Sequence, residues 1–245
     1  MKEDFLPGNR FARIYRFKEV TSTMDVCEDL IKSGVCKGIV VAESQTSGRG
    51  RNAKKWVSAA NGNIYLSFFD ELNVGLIPQR CAVASFLAAG FFVKERAEVR
   101  IKWPNDILID LGKVSGVIAK SVISDNKRFY VCGIGVNVFP PDESTVKFVW
   151  RPASLSGFAE VTTEKVLDKL VESISCAFSA SSEEILLLYA EKTGWMIGKE
   201  IVFSQDLINN EKGRIVGFSD DFSVVKIDTG SGMKELSALS ILSII

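Results

Sequence analysis

The sequence predicts an α+β fold: a mixed or antiparallel sheet with helices packed on it, followed by a small β-barrel of SH3-like size. Three observations predict it. Between Val99 and Val138, four β-rich runs follow one another across turns short enough for antiparallel hairpins. Helical patterns flank them, at 78–97 before and at 162–179 and 183–193 after. From Trp195 the texture changes to five short β-rich runs, the density of a small barrel. The change places a domain boundary near 194–198, dividing 1–194 from 195–245.

The elements can be justified in order. Thr21, Ser22 and Thr23 offer capping hydroxyls and Gly34 a stop, with Val26, Leu30 and Ile31 on one face between them, so a helix is expected over 23–33. Gly38 to Ala42 reads as a buried strand, and N-I-Y-L-S-F-F (63–69) as another. Residues 78–97 carry Ala, Leu, Phe and Val almost all round, which predicts a buried helix with Phe86, Phe91 and Phe92 in the core. Strands are expected at 99–103, 106–110, 113–123 and 128–138, turning at Pro104-Asn105, Leu111-Gly112 and Ser124–Lys127. Pro140, Pro141 and Pro152 bound an irregular stretch. Thr162-Thr163-Glu164 and Ser181-Ser182-Glu183-Glu184 open the two later helices. The barrel runs are 200–204, 213–218, 222–228, 233–236 and 238–244, separated at Asn209-Asn210, Asp220-Asp221 and Gly230-Ser231-Gly232.

Composition narrows the function classes. Hydrophobic residues make up 47% of the 245 and charged residues 24%, which excludes disorder. Lys plus Arg equals Asp plus Glu at 30 each, so no global field draws nucleic acid or an anionic membrane. No apolar run approaches the roughly 18 residues that span a bilayer, and the start M-K-E-D-F-L-P-G-N-R has no signal-peptide core, so a cytoplasmic location is expected. Cys27, Cys36, Cys81, Cys132 and Cys176 are widely spaced, with no C-x-x-C pair, and are expected to be buried small residues. Histidine is absent, which excludes Ser-His-Asp and Cys-His nucleophile systems, H-E-x-x-H zinc chemistry and any imidazole base. Chemistry here must use carboxylates, Lys, Arg, backbone dipoles or a metal held by oxygen.

The chemistry centres on E-S-Q-T-S-G-R-G-R-N-A-K-K-W (43–56). From Ser44 through Phe69 there is no acidic residue, and Arg49, Arg51, Lys54 and Lys55 sit on a chain loosened by Gly48 and Gly50. Such cations repel one another in the empty site and are ordered by a bound anion, the behaviour of a lid for a phosphate- or carboxylate-bearing ligand. By itself the segment also reads as a solvated turn, or as a contact to a nucleic-acid backbone. Lys113 opens a strand, with Gly116 three residues on, and Asn105-Asp106 form a polar corner beside Lys102. In G-I-G-V-N-V (133–138) two glycines lie within a strand, marking either a bulge or backbone passing beside a flat ligand. There is no G-x-x-x-x-G-K-[ST] and no G-x-G-x-x-G opening a helix; G-W-M-I-G-K (194–199) is one residue short and is followed by Glu200.

Taken in order, S-T (22–23), Q-T-S-G-R-G-R…W (45–56), K-W-P-N-D-I-L (102–108), G-K-V-S-G-V-I (112–118), G-I-G-V-N-V (133–138) and a C-terminal barrel closely resemble the biotin protein ligases, over essentially the whole chain. The resemblance implies a biotin/lipoate ligase-like catalytic domain and a two-step reaction using ATP, biotin and Mg²⁺. Biotin's carboxylate attacks the α-phosphorus of ATP to give biotinyl-5′-adenylate and pyrophosphate. A lysine amine of a biotin carboxyl carrier protein, such as an acetyl-CoA carboxylase subunit, then takes the biotinyl group. It further implies Lys113, Arg49 and Arg51 as catalytic residues. Ser22, Thr23, Gln45, Gly48, Gly50 and Gly116 join those three around biotin. Trp56, Lys102, Asn105, Asp106 and Asn137 join Arg51 around ATP and the adenylate, with Asp106 toward the metal.

The sequence departs from the family pattern where Met24 follows Ser22-Thr23 in place of the usual Asn, and where Ala53 and Lys54 replace a later Gly and Arg of the lid. Only about 18 residues precede the first elements, too few for the winged helix-turn-helix of family members that act as repressors, so no operator binding is expected. A monomer and a homodimer both remain open. A lipoate or octanoate ligase on the same scaffold is the alternative enzyme; a non-catalytic ligand-sensing or RNA-binding protein is the alternative outside catalysis.

Overall fold

The computed structural model describes residues 1–5, 9–11, 13–51, 55–58, 62–141, 151–204, 210–237 and, as backbone, 241–244. The elements run β1 (Lys2–Phe5), β2 (Arg13–Val20), α1 (Thr23–Lys32), β3 (Gly38–Gln45), β4 (Ile64–Glu71), α2 (Ile77–Val93), β5 (Val99–Lys102), β6 (Asp106–Ile109), β7 (Gly112–Ser124), β8 (Lys127–Val136), α3 (Thr163–Ser179) and α4 (Ser182–Thr193). The barrel strands are β9 (Glu200–Phe203), β10 (Glu211–Phe218), β11 (Val224–Asp228), β12 (Met233–Ser237) and β13 (Ile241–Ile244). Positions 238–240 and 209, and the lid residues Ala53 and Lys54, lie outside the described residues.

The first eight strands form one sheet in the order β1-β2-β3-β4-β8-β7-β6-β5. Every neighbouring pair is antiparallel except β2 and β3, which run parallel because α1 carries the chain back between them. The pleat divides apolar residues between two cores. On β8, Tyr130, Cys132, Ile134 and Val136 face the core covered by α2 and α3, while Phe129 and Val131 face the smaller core under α1. β4 divides likewise, with Leu66 and Phe68 on one side and Phe69 on the other. Central strands buried on both faces read as continuous apolar runs, which is why β4 and β8 stand out in the sequence.

Ser22 caps α1, and Ser181 with Glu184 forms a full capping box on α4, as expected. The β7–β8 turn places Asp125 and Asn126 at φ 49° and 61°, the pair of positive values a two-residue hairpin needs. The second sheet is antiparallel, ordered β12-β11-β10-β9-β13. Its inward residues, among them Ile201, Phe203, Ile215 and Ile227, share one apolar cluster with the large sheet that includes buried Met196. Packing is thus continuous across the expected boundary at 194–198.

Several expectations need correction. β1 and β2 were not predicted: β1 is a charged edge strand, and in β2 only Ile14 and Tyr15 are buried among Arg13, Arg16, Lys18 and Glu19. The helix expected over 78–97 ends at Val93 and tightens into a 3₁₀ turn at Lys94–Arg96. Cys36 and Cys176 are exposed, the first in the connection after α1 and the second on the outer face of α3; only Cys27, Cys81 and Cys132 are buried.

Candidate active site

Val20 at the end of β2 is in register with Gln45 at the end of β3, so the start of α1 and the exit of β3 lie at one end of the sheet. There the main chain of Thr23 donates to Gln45 Oε1 at 2.8 Å, and Thr23 Oγ1 lies 2.7 Å from Ser67 Oγ of β4. Gln45 Nε2 donates to Ser58 Oγ at 2.9 Å. Ser22 Oγ accepts from Met24 N at 3.3 Å, leaving Met24 itself in the core under α1, its sulfur against Gly133. The structure therefore places Ser22, Thr23 and Gln45 together at one end of the sheet. It adds Ser58 and Ser67, of which Ser67 is signalled by a lone serine inside an apolar strand.

The arginine-glycine segment folds back on itself. Trp56 N donates to Gly48 O at 3.0 Å, and Arg49 bridges to Lys55 with Gly50 and Arg51 at the bend. A β-carbon at Gly48 would stand 2.4 Å from Trp56 O and 2.5 Å from Ser58 Oγ, so only glycine permits this return.

The returning strand lays the Trp56 indole on the face of the sheet below α1. There the face lacks β-carbons, because Gly133 and Gly135 occupy alternate positions of β8 and Gly116 pairs with Gly135 from β7. A β-carbon at Gly116 would meet Trp56 Cζ3 at 2.9 Å. The register of β8 is unbroken against both neighbours, so the two glycines mark no bulge. They make room for a flat group, here the indole.

The bulge lies instead in β7. Ile107 pairs with Ser115 but Leu108 pairs with Lys113, so Val114 is an extra residue. Ser115 and Val117 point toward α2, where Ser115 Oγ accepts from Ser85 Oγ at 2.7 Å. Strict alternation would send Lys113 the same way. The inserted Val114 takes the inward place and turns Lys113 onto the glycine face, with its ammonium 5.1 Å from the centre of the Trp56 ring. Asn137 fixes the turned segment: its Nδ2 donates to Lys113 O at 3.2 Å and to Ala153 O at 3.1 Å.

Lys113 ends on Asp106, Nζ to Oδ1 2.6 Å, and Lys102 Nζ reaches Oδ2 of the same carboxylate at 3.1 Å. Arg51 donates to the neighbouring Asn105 Oδ1 at 2.9 Å, and Asn105 Nδ2 donates to Val117 O at 2.6 Å. Burial alone pushes the Asp106 carboxyl up, but Lys113 and Lys102 beside it hold it below its ordinary value. Burial lowers Lys102 and Arg51, with Asp106 opposing in each case. Three cations around one carboxylate leave a surplus of two positive charges in a largely buried corner. This corner lies directly beside the glycine floor, and the Trp56 indole covers that floor.

Lys113, Lys102, Asn105, Asp106, Arg51, Trp56 and Gly116 are brought together. Arg49 is turned away onto Asp25 in the first turn of α1, and the Asn137 amide nitrogen serves the Lys113 backbone. Asp106, expected toward the metal, has Oδ1 on Lys113 and Oδ2 on Lys102 in this structure. Among the described residues no three His, Cys, Asp or Glu side chains cluster to hold an ion. Tyr189, whose hydroxyl donates to Pro104 O at 2.8 Å, was missed because it reads as an apolar position of α4.

Comparison with known proteins points the same way. The model of the family described as "Biotin/lipoate A/B protein ligase family" matches residues 16–137. A bifunctional ligase/repressor BirA of Bacillus spizizenii is 32% identical over 124 residues, covering 49% of this chain and 38% of that protein. A biotin–[acetyl-CoA-carboxylase] ligase of Paracoccus denitrificans is 33% identical over 141 residues, covering 54% of this chain and 58% of its own. The chain thus spans less than two thirds of the length of these curated relatives. The biotin protein ligase of Aquifex aeolicus in complex with biotin and ATP superposes with a TM-score of 0.72 at 27% identity, over 95% of this chain and 98% of that one.

Proposed function

We propose that the chain, whose residues 16–137 match the model of the biotin/lipoate A/B protein ligase family, is an ATP-dependent biotin–protein ligase, with a catalytic unit over 1–194 and an appended barrel over 195–245. The observation that carries the reading is the convergence of Lys113, Lys102 and Arg51 on the Asn105-Asp106 corner, directly beside a floor of glycines on which a flat group, the Trp56 indole, already lies. Joining a carboxylate to a phosphate brings like charges together, at a cost on the order of 4 kcal/mol per pair near 4 Å at an effective dielectric near 20. A surplus of two fixed cations offsets that cost without reorganising during the reaction.

In this reading biotin's ring system takes the floor of Gly116 and Gly135, with its polar end toward Thr23, Gln45 and Ser67. The indole of Trp56, which covers that floor in the free protein, moves to admit it. Lys113 stands between the biotin carboxylate and the α-phosphate. Lys102 and Arg51 face the remaining phosphate oxygens, and Arg49 leaves Asp25 to close over the ligand. A closed segment 48–56 shields the water-labile mixed anhydride until a carrier lysine arrives. Mg²⁺ fits this corner as a cation brought on the nucleotide's own phosphates rather than as a resident ion. The acceptor that suits the second step is a lysine of a biotin carboxyl carrier protein. A relative bearing the acetyl-CoA carboxylase name supports that choice.

The test supplies ATP, Mg²⁺ and either biotin or lipoate, following pyrophosphate release and then transfer to a carrier domain. Biotin-dependent pyrophosphate release and biotin attached to the carrier lysine are expected. Labelling by lipoate alone would overturn the choice of acid, and no release with either acid would overturn the ligase reading.

A further inference from the structure

The turn that presents Asn105 and Asp106 is held from two sides. On one side it is pinned to β7, where Val117 N donates to Asn105 O at 2.9 Å and Asn105 Nδ2 returns to Val117 O. On the other side stands Tyr189 of α4, about 1% exposed, whose hydroxyl donates to the carbonyl of Pro104 at 2.8 Å. Burial pushes that phenol up, so it remains a proton donor at neutral pH.

Tyr189 is in turn fixed by the barrel. The Phe222 ring packs edge-on against it, centroids 5.1 Å apart. Phe222 lies in the turn between β10 and β11 at φ 56°, a backbone setting unfavourable for a bulky residue. Ser219, Asp221 and Ser223 brace this turn: Phe222 N donates to Ser219 O, and Asp221 accepts from Ser223 N and from both serine hydroxyls. From there Phe222 O accepts from Trp103 Nε1 at 2.7 Å, and Asp221 O accepts from Gln79 Nε2 at 2.7 Å. The barrel therefore grips both Tyr189 and Trp103, one residue before Pro104.

We propose that Tyr189 is a positioning residue for the nucleotide half of the site, and that Phe222 locks it there from the barrel. The inference rests on the ligase reading above. Asp106 aims Lys102 and Lys113, and Asn105 aims Arg51, so a shift of the Pro104 carbonyl moves all three cations together. Thr23 of α1, Gln45 of β3 and Ser67 of β4 lie on other elements and do not share this support.

The test uses the full chain carrying Tyr189→Phe, Phe222→Ala or Phe222→Leu, with pyrophosphate release followed while ATP and biotin are varied separately. Biotin affinity is measured by calorimetry and folding by thermal melts. Tyr189→Phe keeps the ring and deletes one buried donor, so KM for ATP should rise about tenfold while biotin affinity stays within about twofold. Phe222→Ala should act in the same direction, and Phe222→Leu should recover part of the loss. An unchanged KM for ATP in folded Tyr189→Phe, or an equal loss for both substrates, overturns the positioning role and leaves the ligase reading standing. If the unaltered chain itself forms no adenylate, the ligase reading falls and this inference falls with it.

Discussion

The indole of Trp56 rests on the backbone of Gly135 so closely that a β-carbon there would stand 2.3 Å from Trp56 Cε2 and 2.6 Å from its Nε1. Gly135→Ala leaves room for only one of two things, the methyl or the ring above it. The indole is the movable partner, since it is carried on a returning loop and not by the sheet. Gly135→Ala should therefore shift the tryptophan fluorescence of the free protein and weaken biotin binding by about 10- to 100-fold, with far-ultraviolet circular dichroism unchanged. Wild-type affinity in the variant would show that the floor is not where the acid lies.

Lys113→Ala should lower the rate of adenylate formation by about 10²- to 10³-fold, the loss seen when one preorganised charge at a reacting centre is removed. Single-turnover measurement of pyrophosphate release checks this. The rest of the fold should survive, because Lys102 still partners Asp106. Unaltered turnover would remove Lys113 from the mechanism.

Much of this was legible in the chain, for identifiable reasons. β4 and β8 are buried on both faces and therefore read as unbroken apolar runs; the caps at Ser22 and Ser181 announce their helices with local chemistry. The rest depends on long-range geometry. β2 carries charge on both of its faces and has only Ile14 and Tyr15 buried, so it has no clear period. The bulge at Val114, which decides the face on which Lys113 emerges, leaves no mark in V-S-G-V-I. Tyr189 and Phe222 acquire their meaning only when α4 and the barrel meet the turn at Pro104.

Asp106→Asn should destabilise the protein by about 3 kcal/mol near neutral pH, because it removes the buried negative charge that Lys102 and Lys113 share. The pH dependence has a definite sign. The folded Asp106 carboxyl titrates below its ordinary value of 3.8, so its stabilising contribution is complete above that value and is lost as pH falls through the folded one. The stability gap between wild type and variant, from urea melts, should be constant between about pH 5 and 7 and should narrow below 3.8. A gap that widens on acidification would contradict the lysine-clamped carboxylate.

The two arginines of the lid should separate by function, although the sequence presents them as a pair. Arg51 is half-buried and already committed to Asn105, within the charge corner. Arg49 is largely exposed and paired with Asp25 outside that corner, in an ion pair of the kind that contributes about 0–1 kcal/mol. Arg51→Ala should thus raise KM for ATP about tenfold and slow adenylate formation, as its guanidinium faces the nucleotide side from the start. Arg49→Ala should leave KM for ATP within about twofold and act on retention of the adenylate, since Arg49 reaches the ligand only after leaving Asp25. Trapping radiolabelled adenylate on each variant and timing its escape checks the division. Equal escape rates from Arg49→Ala and the wild-type protein would mean that Arg49 stays on Asp25 throughout turnover and takes no part in closure.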